Sequence, residues 1–163
     1  MLLTKLKDPS KDTNKNYHSI KDTVESAINS YPLQESQRSI ITLNLDEDFT
    51  YYGNDTLIRH IIFNLMKNSL YYLNVAGKGD ISITIERTSN HHRLYFKDTG
   101  QGVPSEQLPR LFERFHSKSH GGTGLGLAFC KMTMEELGGN IHCRSTYGEY
   151  TEFILDFPLI VAS

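Results

Sequence analysis

Gly121-Gly122-Thr123-Gly124-Leu125-Gly126-Leu127-Ala128 is the stretch whose reading decides this chain. Gly122, Gly124 and Gly126 alternate with larger residues, directly before a run that reads as a helix over about 123–137, ended by Gly138-Gly139. Glycine lets a backbone approach a ligand with no Cβ in the way. A helix N-terminus adds free N–H groups and a partial positive charge, so the combination makes a phosphate cradle. A plain tight turn is the competing reading. No Gly-Lys-Ser/Thr follows, which excludes a P-loop. Two further blocks lie upstream: Asn64-Leu65-Met66-Lys67-Asn68 inside a helical pattern, and Asp98-Thr99-Gly100-Gln101-Gly102 just after a strand pattern.

Working outward, Ile20, Val24, Ala27 and Ile28 recur at helical spacing until Tyr31-Pro32. Ile41, Leu43 and Leu45 alternate as a strand, and Asp46-Glu47-Asp48 turns the chain into another at Phe49–Tyr52. Asn54 or Asp55 caps the longest helix, about 55–73, whose apolar stripe is Leu57, Ile58, Ile61, Ile62 and Leu65. Ile81, Ile83 and Ile85 alternate in one strand, and Ser89-Asn90 returns the chain into Arg93–Lys97 as a β-hairpin. A short helix is expected from Ser105 to Leu111, and final strands at about 140–145 and 150–157, the last with Phe153, Leu155 and Phe157 facing inward. Strands arriving as hairpins with helices between them predict an α+β fold, an antiparallel or mixed sheet with helices on one face.

At 163 residues the chain is expected to hold one main domain, about 18–160, after a polar, proline-broken stretch over 1–17. That stretch reads as a linker or the end of a preceding helix. Lys+Arg 17 against Asp+Glu 19 leaves a net charge of −2, so no basic field argues for nucleic acid. No apolar run reaches the ~18 residues of a membrane span, and direct membrane insertion is not expected. Cys130 and Cys143 lack CxxC spacing and read as core thiols of a reducing compartment. His91-His92 and His116 with His120 lack acidic or thiol companions and read as solvated loop residues rather than metal ligands.

The blocks carry chemistry as follows. Asn64 and Asn68, four apart, project from one helix face, with His60 a turn earlier and Tyr72 a turn later. An amide oxygen is a hard neutral ligand that suits Mg²⁺, though a solvated face gives the same pattern. Asp98 accepts hydrogen bonds without donating, which suits an amino group such as adenine N6; an ordinary turn is the alternative.

The blocks and their order resemble the ATP-binding domain shared by sensor histidine kinases, gyrase-type ATPases, Hsp90 and mismatch-repair ATPases. The resemblance covers about 19–158 and implies the Bergerat fold, a two-layer α/β sandwich with a mixed, mostly antiparallel sheet. It implies that Asn68 coordinates Mg²⁺, that Asn64 lies near the phosphates and that Tyr72 packs on the nucleotide. Asp98 matches the adenine-reading aspartate, Gly100 and Gly102 the glycines against the base, and Thr151 a supporting threonine, where a plain strand threonine fits equally. Phe112 and Phe115 resemble a phenylalanine box, as ligand contact or as hinge packing. The loop after them matches an ATP lid, short here, with Lys118 as its cation for the γ-phosphate. Gly122, Thr123, Gly124, Leu125 and Gly126 match the phosphate loop. One departure stands out: Tyr71 occupies the position where many relatives carry Lys or Arg. Tyr71-Tyr72 and the short lid also bear a slight resemblance to quorum-sensing hybrid kinases.

Gyrase-type, mismatch-repair and Hsp90 ATPases, and the anti-sigma-factor kinases, place a glutamate as general base four residues before the Mg²⁺ asparagine. This chain has Asn64, which cannot take a proton. A domain without its own base suits histidine kinases, whose nucleophile arrives from a separate dimerisation and phosphoacceptor domain. No histidine here has the acceptor's His-Glu/Asp setting: Ser follows His18, Ile follows His60 and Cys follows His142. The resemblance therefore implies a sensor histidine kinase catalytic domain using Mg·ATP, cytoplasmic within a membrane-bound parent, with that acceptor domain and a response-regulator receiver as partners. An ATP-binding regulatory module and a stand-alone ATPase are the alternatives.

Overall fold

Alternating apolar and polar side chains give the central hairpin its two faces. In β4 (Ile81–Arg87), Ile81, Ile83 and Ile85 are buried; in β5 (His92–Asp98), Leu94, Phe96 and Asp98 are buried. The computed structural model describes residues 14–115 and 125–160. Two more strands extend this hairpin on one side: β7 (Tyr150–Phe157) pairs antiparallel with β5, and β6 (Asn140–Thr146) pairs antiparallel with β7. On the other side β2 (Ile41–Asn44) lies parallel to β4, giving the order β2-β4-β5-β7-β6. The sheet is mixed and mostly antiparallel, as the sequence predicts.

Helices cover the buried face. They are α1 (Ile20–Ser30), α3 (Asp55–Ala76) and α4 (Gly126–Glu136), while the short α2 (Glu35–Arg38) buries no residue. Ser19 caps α1 by accepting from the Asp22 N–H, and its hydroxyl donates to Asp48 Oδ2 at 2.6 Å. Asn54, the first of the two expected caps, accepts from Thr56 N–H and starts α3. The helix runs three residues past the expected end at 73, to Ala76, where Gly77 closes it with an N–H bond to Leu73 O. Ile58, Ile61, Ile62, Leu65 and Met66 of α3 are buried with Val24 of α1 and Cys130 and Met134 of α4. Full burial of one such aliphatic side chain stabilises by roughly 1.5–3 kcal/mol.

Three local expectations change. Asn16–Ser19, where the sequence reading runs a linker to residue 17, forms β1, paired antiparallel with β3 (Thr50–Gly53) in a ribbon of its own. The strand expected near 49–52 therefore belongs to this ribbon and not to the main sheet. The helix expected over 105–111 contracts to a 3₁₀ turn at Leu108–Arg110. Pro109 has no amide N–H, which takes one of the few i→i−4 bonds that a helix over 105–111 could make. The helix expected from 123 is described from Gly126; residues 123 and 124 lie outside the described residues.

Candidate functional site

Four strands bring one row of residues across the sheet: Ile81 opposite Asp98, Asp98 opposite Thr151, Thr151 opposite Ser145. Asp98 ends β5 fully buried, with its Oδ1 accepting from the Gly100 N–H at 3.0 Å. Its Oδ2 has no hydrogen-bond partner among the described residues, and neither do the buried hydroxyls of Thr151 and Ser69. A buried carboxylate oxygen without a partner costs free energy unless a donor reaches it, so such a group marks a place built for a ligand or water. Burial pushes the Asp98 carboxyl up to about 6, against the Gly100 N–H, which favours the ionised form. Ser69 also favours ionisation, as a hydroxyl that faces the carboxylate without closing a hydrogen bond.

Gly100 has a packing reason. A Cβ there would stand 2.8 Å from the Tyr72 carbonyl of α3, and the next residue, Gln101, donates its N–H to that same oxygen at 3.3 Å. Gly102 has φ +75°, and a Cβ would meet Thr146 O at 2.5 Å. The glycines expected against a base thus lie against α3 and the β6–β7 turn. Gly100→Ala is expected to lower stability by about 1–3 kcal/mol through forced backbone shifts. A thermal or denaturant melt checks this; an unchanged midpoint would mean that α3 yields freely.

Asn64 comes to the start of α4: a Cβ on Gly126 would stand 2.8 Å from Asn64 Oδ1. One turn back along α3, the His60 ring meets Phe129 edge-on, centroids 6.4 Å apart, so the helices run antiparallel along this contact. Asn68, partly exposed, lies one turn on from Asn64 along α3. The two amides and the α4 N-terminus therefore occupy one side of the fold. Neutral amide oxygens of this kind fit a hard divalent ion that also carries phosphate oxygens.

Tyr72, the side chain expected against a nucleotide, is 5% exposed and its ring meets Tyr71 edge-on. Burial raises its hydroxyl far above the ordinary tyrosine value. Phe112 packs edge-on against Phe153. Phe115 is 55% exposed with φ +65° and, with Leu125, lines a cleft of about 510 Å³ beside Ala128, Phe129 and Met132 of α4. Lys118, Gly122, Thr123 and Gly124 lie outside the described residues, as do His116 and His120. Ser69 was not singled out by sequence, although a hydroxyl at i+4 from Leu65, inside the apolar stripe, is a readable signal.

A mixed sheet with a buried, half-satisfied aspartate at its centre and an amide-bearing helix beside a glycine-preceded one defines a class of nucleotide-site domain. Residues 53–161 match the model for histidine kinase-, DNA gyrase B- and HSP90-like ATPases, and the chain belongs to that family. It is 36% identical over 143 residues to the CAI-1 autoinducer sensor kinase/phosphatase CqsS of Vibrio cholerae, covering 86% of this chain and 21% of CqsS. It is 35% identical over 145 residues to the autoinducer 1 sensor kinase/phosphatase LuxN of Vibrio harveyi, covering 87% of this chain and 17% of LuxN. The chain thus spans about a fifth of the length of these curated relatives. Among solved structures, the nucleotide-free catalytic domain of histidine kinase ThkA superposes with a TM-score of 0.73 at 23% identity, over 88% of this chain and 95% of that one. Full-length ShkA in complex with AMPPNP gives 0.79 at 20% identity, over 98% and 34%. These likenesses agree on the fold that the sequence blocks imply.

Proposed function

We propose that this domain binds Mg·ATP and donates its γ-phosphoryl group to a histidine on the dimerisation and phosphoacceptor domain of its parent, in two-component signalling. The observation that carries the reading is fully buried Asp98, whose Oδ2 has no partner among the described residues and whose ladder partner is the equally buried Thr151. An acceptor-only group in a dry setting selects a ligand amino group, and adenine N6 supplies one. The family match and the sensor-kinase relatives agree with that base and that reaction.

In this reading Asn68 holds Mg²⁺ and Asn64 lies beside the phosphates at the α4 N-terminus. The ion, when bound, neutralises phosphate charge and polarises the transferred group. Lys118, Gly122, Thr123 and Gly124 would serve the same phosphates, and a response-regulator receiver would take the phosphoryl group onward. Phosphoryl transfer needs positioning and electrostatics more than covalent chemistry from the protein, which suits a site of amides and backbone N–H groups. The test is labelled ATP with this domain and its parent's acceptor domain supplied separately. Acid-labile label on the acceptor histidine is expected; tight ATP binding with no transfer would leave a regulatory nucleotide module.

Asn68→Ala is expected to weaken ATP binding mainly when Mg²⁺ is present, because the lost ligand acts through the ion. Loss of one such contact to a charged group corresponds to about ten- to a hundredfold. Titrations with Mg²⁺ and with EDTA decide it. Equal losses in both would make Asn68 a direct nucleotide contact or a structural residue.

A further inference from the structure

Ser69 sits on α3 between Asn68 and the apolar stripe, fully buried, its hydroxyl without a partner among the described residues. Its placement is fixed by a neighbour one turn on. Tyr72, at i+3 and so on the same side of α3, receives the loop after β5: Gly100 abuts the Tyr72 backbone, and Gln101 N–H bonds to Tyr72 O. That loop begins at Asp98, whose Oδ1 is tied back to Gly100 N–H. The helix face carrying Ser69 and the strand end carrying Asp98 are therefore clamped together. Thr151 closes the same space from β7, as the ladder partner of Asp98. Each of these three elements thus carries a buried oxygen without a hydrogen-bond partner among the described residues: Ser69 Oγ, Asp98 Oδ2 and Thr151 Oγ1.

We propose that Ser69 is a positioning residue for Asp98: its hydroxyl, from the helix side, holds the carboxylate oriented and ready to accept, leaving Oδ2 for the ligand's amino group. This rests on the nucleotide reading above. Among the described residues, few groups face Asp98. Gly100 N–H and Thr151 come from the sheet side, Ser69 and Tyr72 from α3, and Cys143 from β6. Tyr72 and Cys143 are both held neutral by burial, so neither brings a positive charge to the carboxylate. Gly100 N–H donates to the carboxylate, and the Ser69 hydroxyl, which faces it without a closed hydrogen bond, also favours its ionised state. Removing the Ser69 oxygen leaves, among the described residues, the Gly100 N–H.

The experiment is a pH titration of the Asp98 carboxyl by carbon NMR, without nucleotide, in the wild type, Ser69→Ala and Ser69→Cys. Ala removes only the oxygen, and Cys keeps a side chain of similar size with a weak donor. In both variants the carboxyl midpoint is expected to move up from its wild-type position near 6. ADP affinity, measured by calorimetry from pH 5.5 to 8, is expected to drop about three- to tenfold at pH 6 and less at pH 8. Coincident midpoints in all three proteins would overturn the proposal. So would an equal loss of affinity at every pH with an unmoved midpoint, which marks a structural role alone. A wild type that binds no ADP would refute the nucleotide reading instead, while the carboxyl midpoints still decide what Ser69 does.

Discussion

Asp98→Asn is expected to lower ATP affinity by about ten- to a hundredfold, the equivalent of roughly 1.5–3 kcal/mol for a lost charge-assisted hydrogen bond. The substitution keeps size and shape. It replaces an acceptor-only group by an amide that presents a donor or a weaker acceptor to the adenine amino group. GTP, with a carbonyl at the matching position, should bind the wild type far more weakly than ATP does. Calorimetry with ATP, ADP and GTP decides, and equal ATP affinity in wild type and variant would remove Asp98 from the site. The same carboxylate gives binding a pH dependence of known sign. Burial raises it from 3.8 to about 6 in the folded domain. Below that value the folded domain carries a protonated, neutral acid, so adenine nucleotide affinity should fall as pH drops through about 6. Stability runs the other way. The folded form binds more protons than the unfolded chain between about 4 and 6, so Asp98's contribution is most favourable at low pH and declines as pH rises through that window. A binding optimum and a stability optimum at different pH follow from one buried group.

Much of this was readable in the chain because local pattern and tertiary context agree. The Ile81, Ile83 and Ile85 alternation and its return through Leu94 and Phe96 set the face of the central hairpin without ambiguity. The α3 stripe likewise fixes which side of that helix is buried, and hence that Asn64 and Asn68 share another. What stayed hidden is non-local. Asn16-Tyr17-His18-Ser19 has no apolar alternation, and only its ladder with β3 makes it a strand. Nothing in Ile41–Asn44 distinguishes a parallel neighbour from an antiparallel one, yet it pairs parallel with β4 across the whole of α3. The site divides in the same way. Asp98 stands out by its glycines, but its register with Thr151 is a sheet property, and Ser69 joins them only when α3 lies down on the loop at Gly100. Those same glycines also serve packing, since each already has protein backbone where a Cβ would go.

With labelled ATP and Mg²⁺, residues 1–163 alone are expected to show neither brisk hydrolysis nor self-labelling on histidine. The reason is the residue at the α4 N-terminus. Asn64 Oδ1 lies where a Gly126 Cβ would crowd it, beside the helix end that suits phosphate. An amide there can orient a group but cannot take a proton from water. General-base catalysis contributes about 10²–10⁴-fold, so water attack on the γ-phosphate should lag by that order behind a relative with a carboxylate at the same place. His60, one turn back along α3, has its ring edge-on to Phe63 and Phe129. A histidine nucleophile brought by a separate acceptor domain needs no such base, because its attacking nitrogen can already carry a lone pair at neutral pH. The two routes separate cleanly in one experiment. Slow phosphate release by the domain alone, with rapid labelling once the acceptor domain is added, fits a donor that waits for its nucleophile. Rapid steady-state release by residues 1–163 would place the chain on the ATPase branch of its family and overturn the kinase reading.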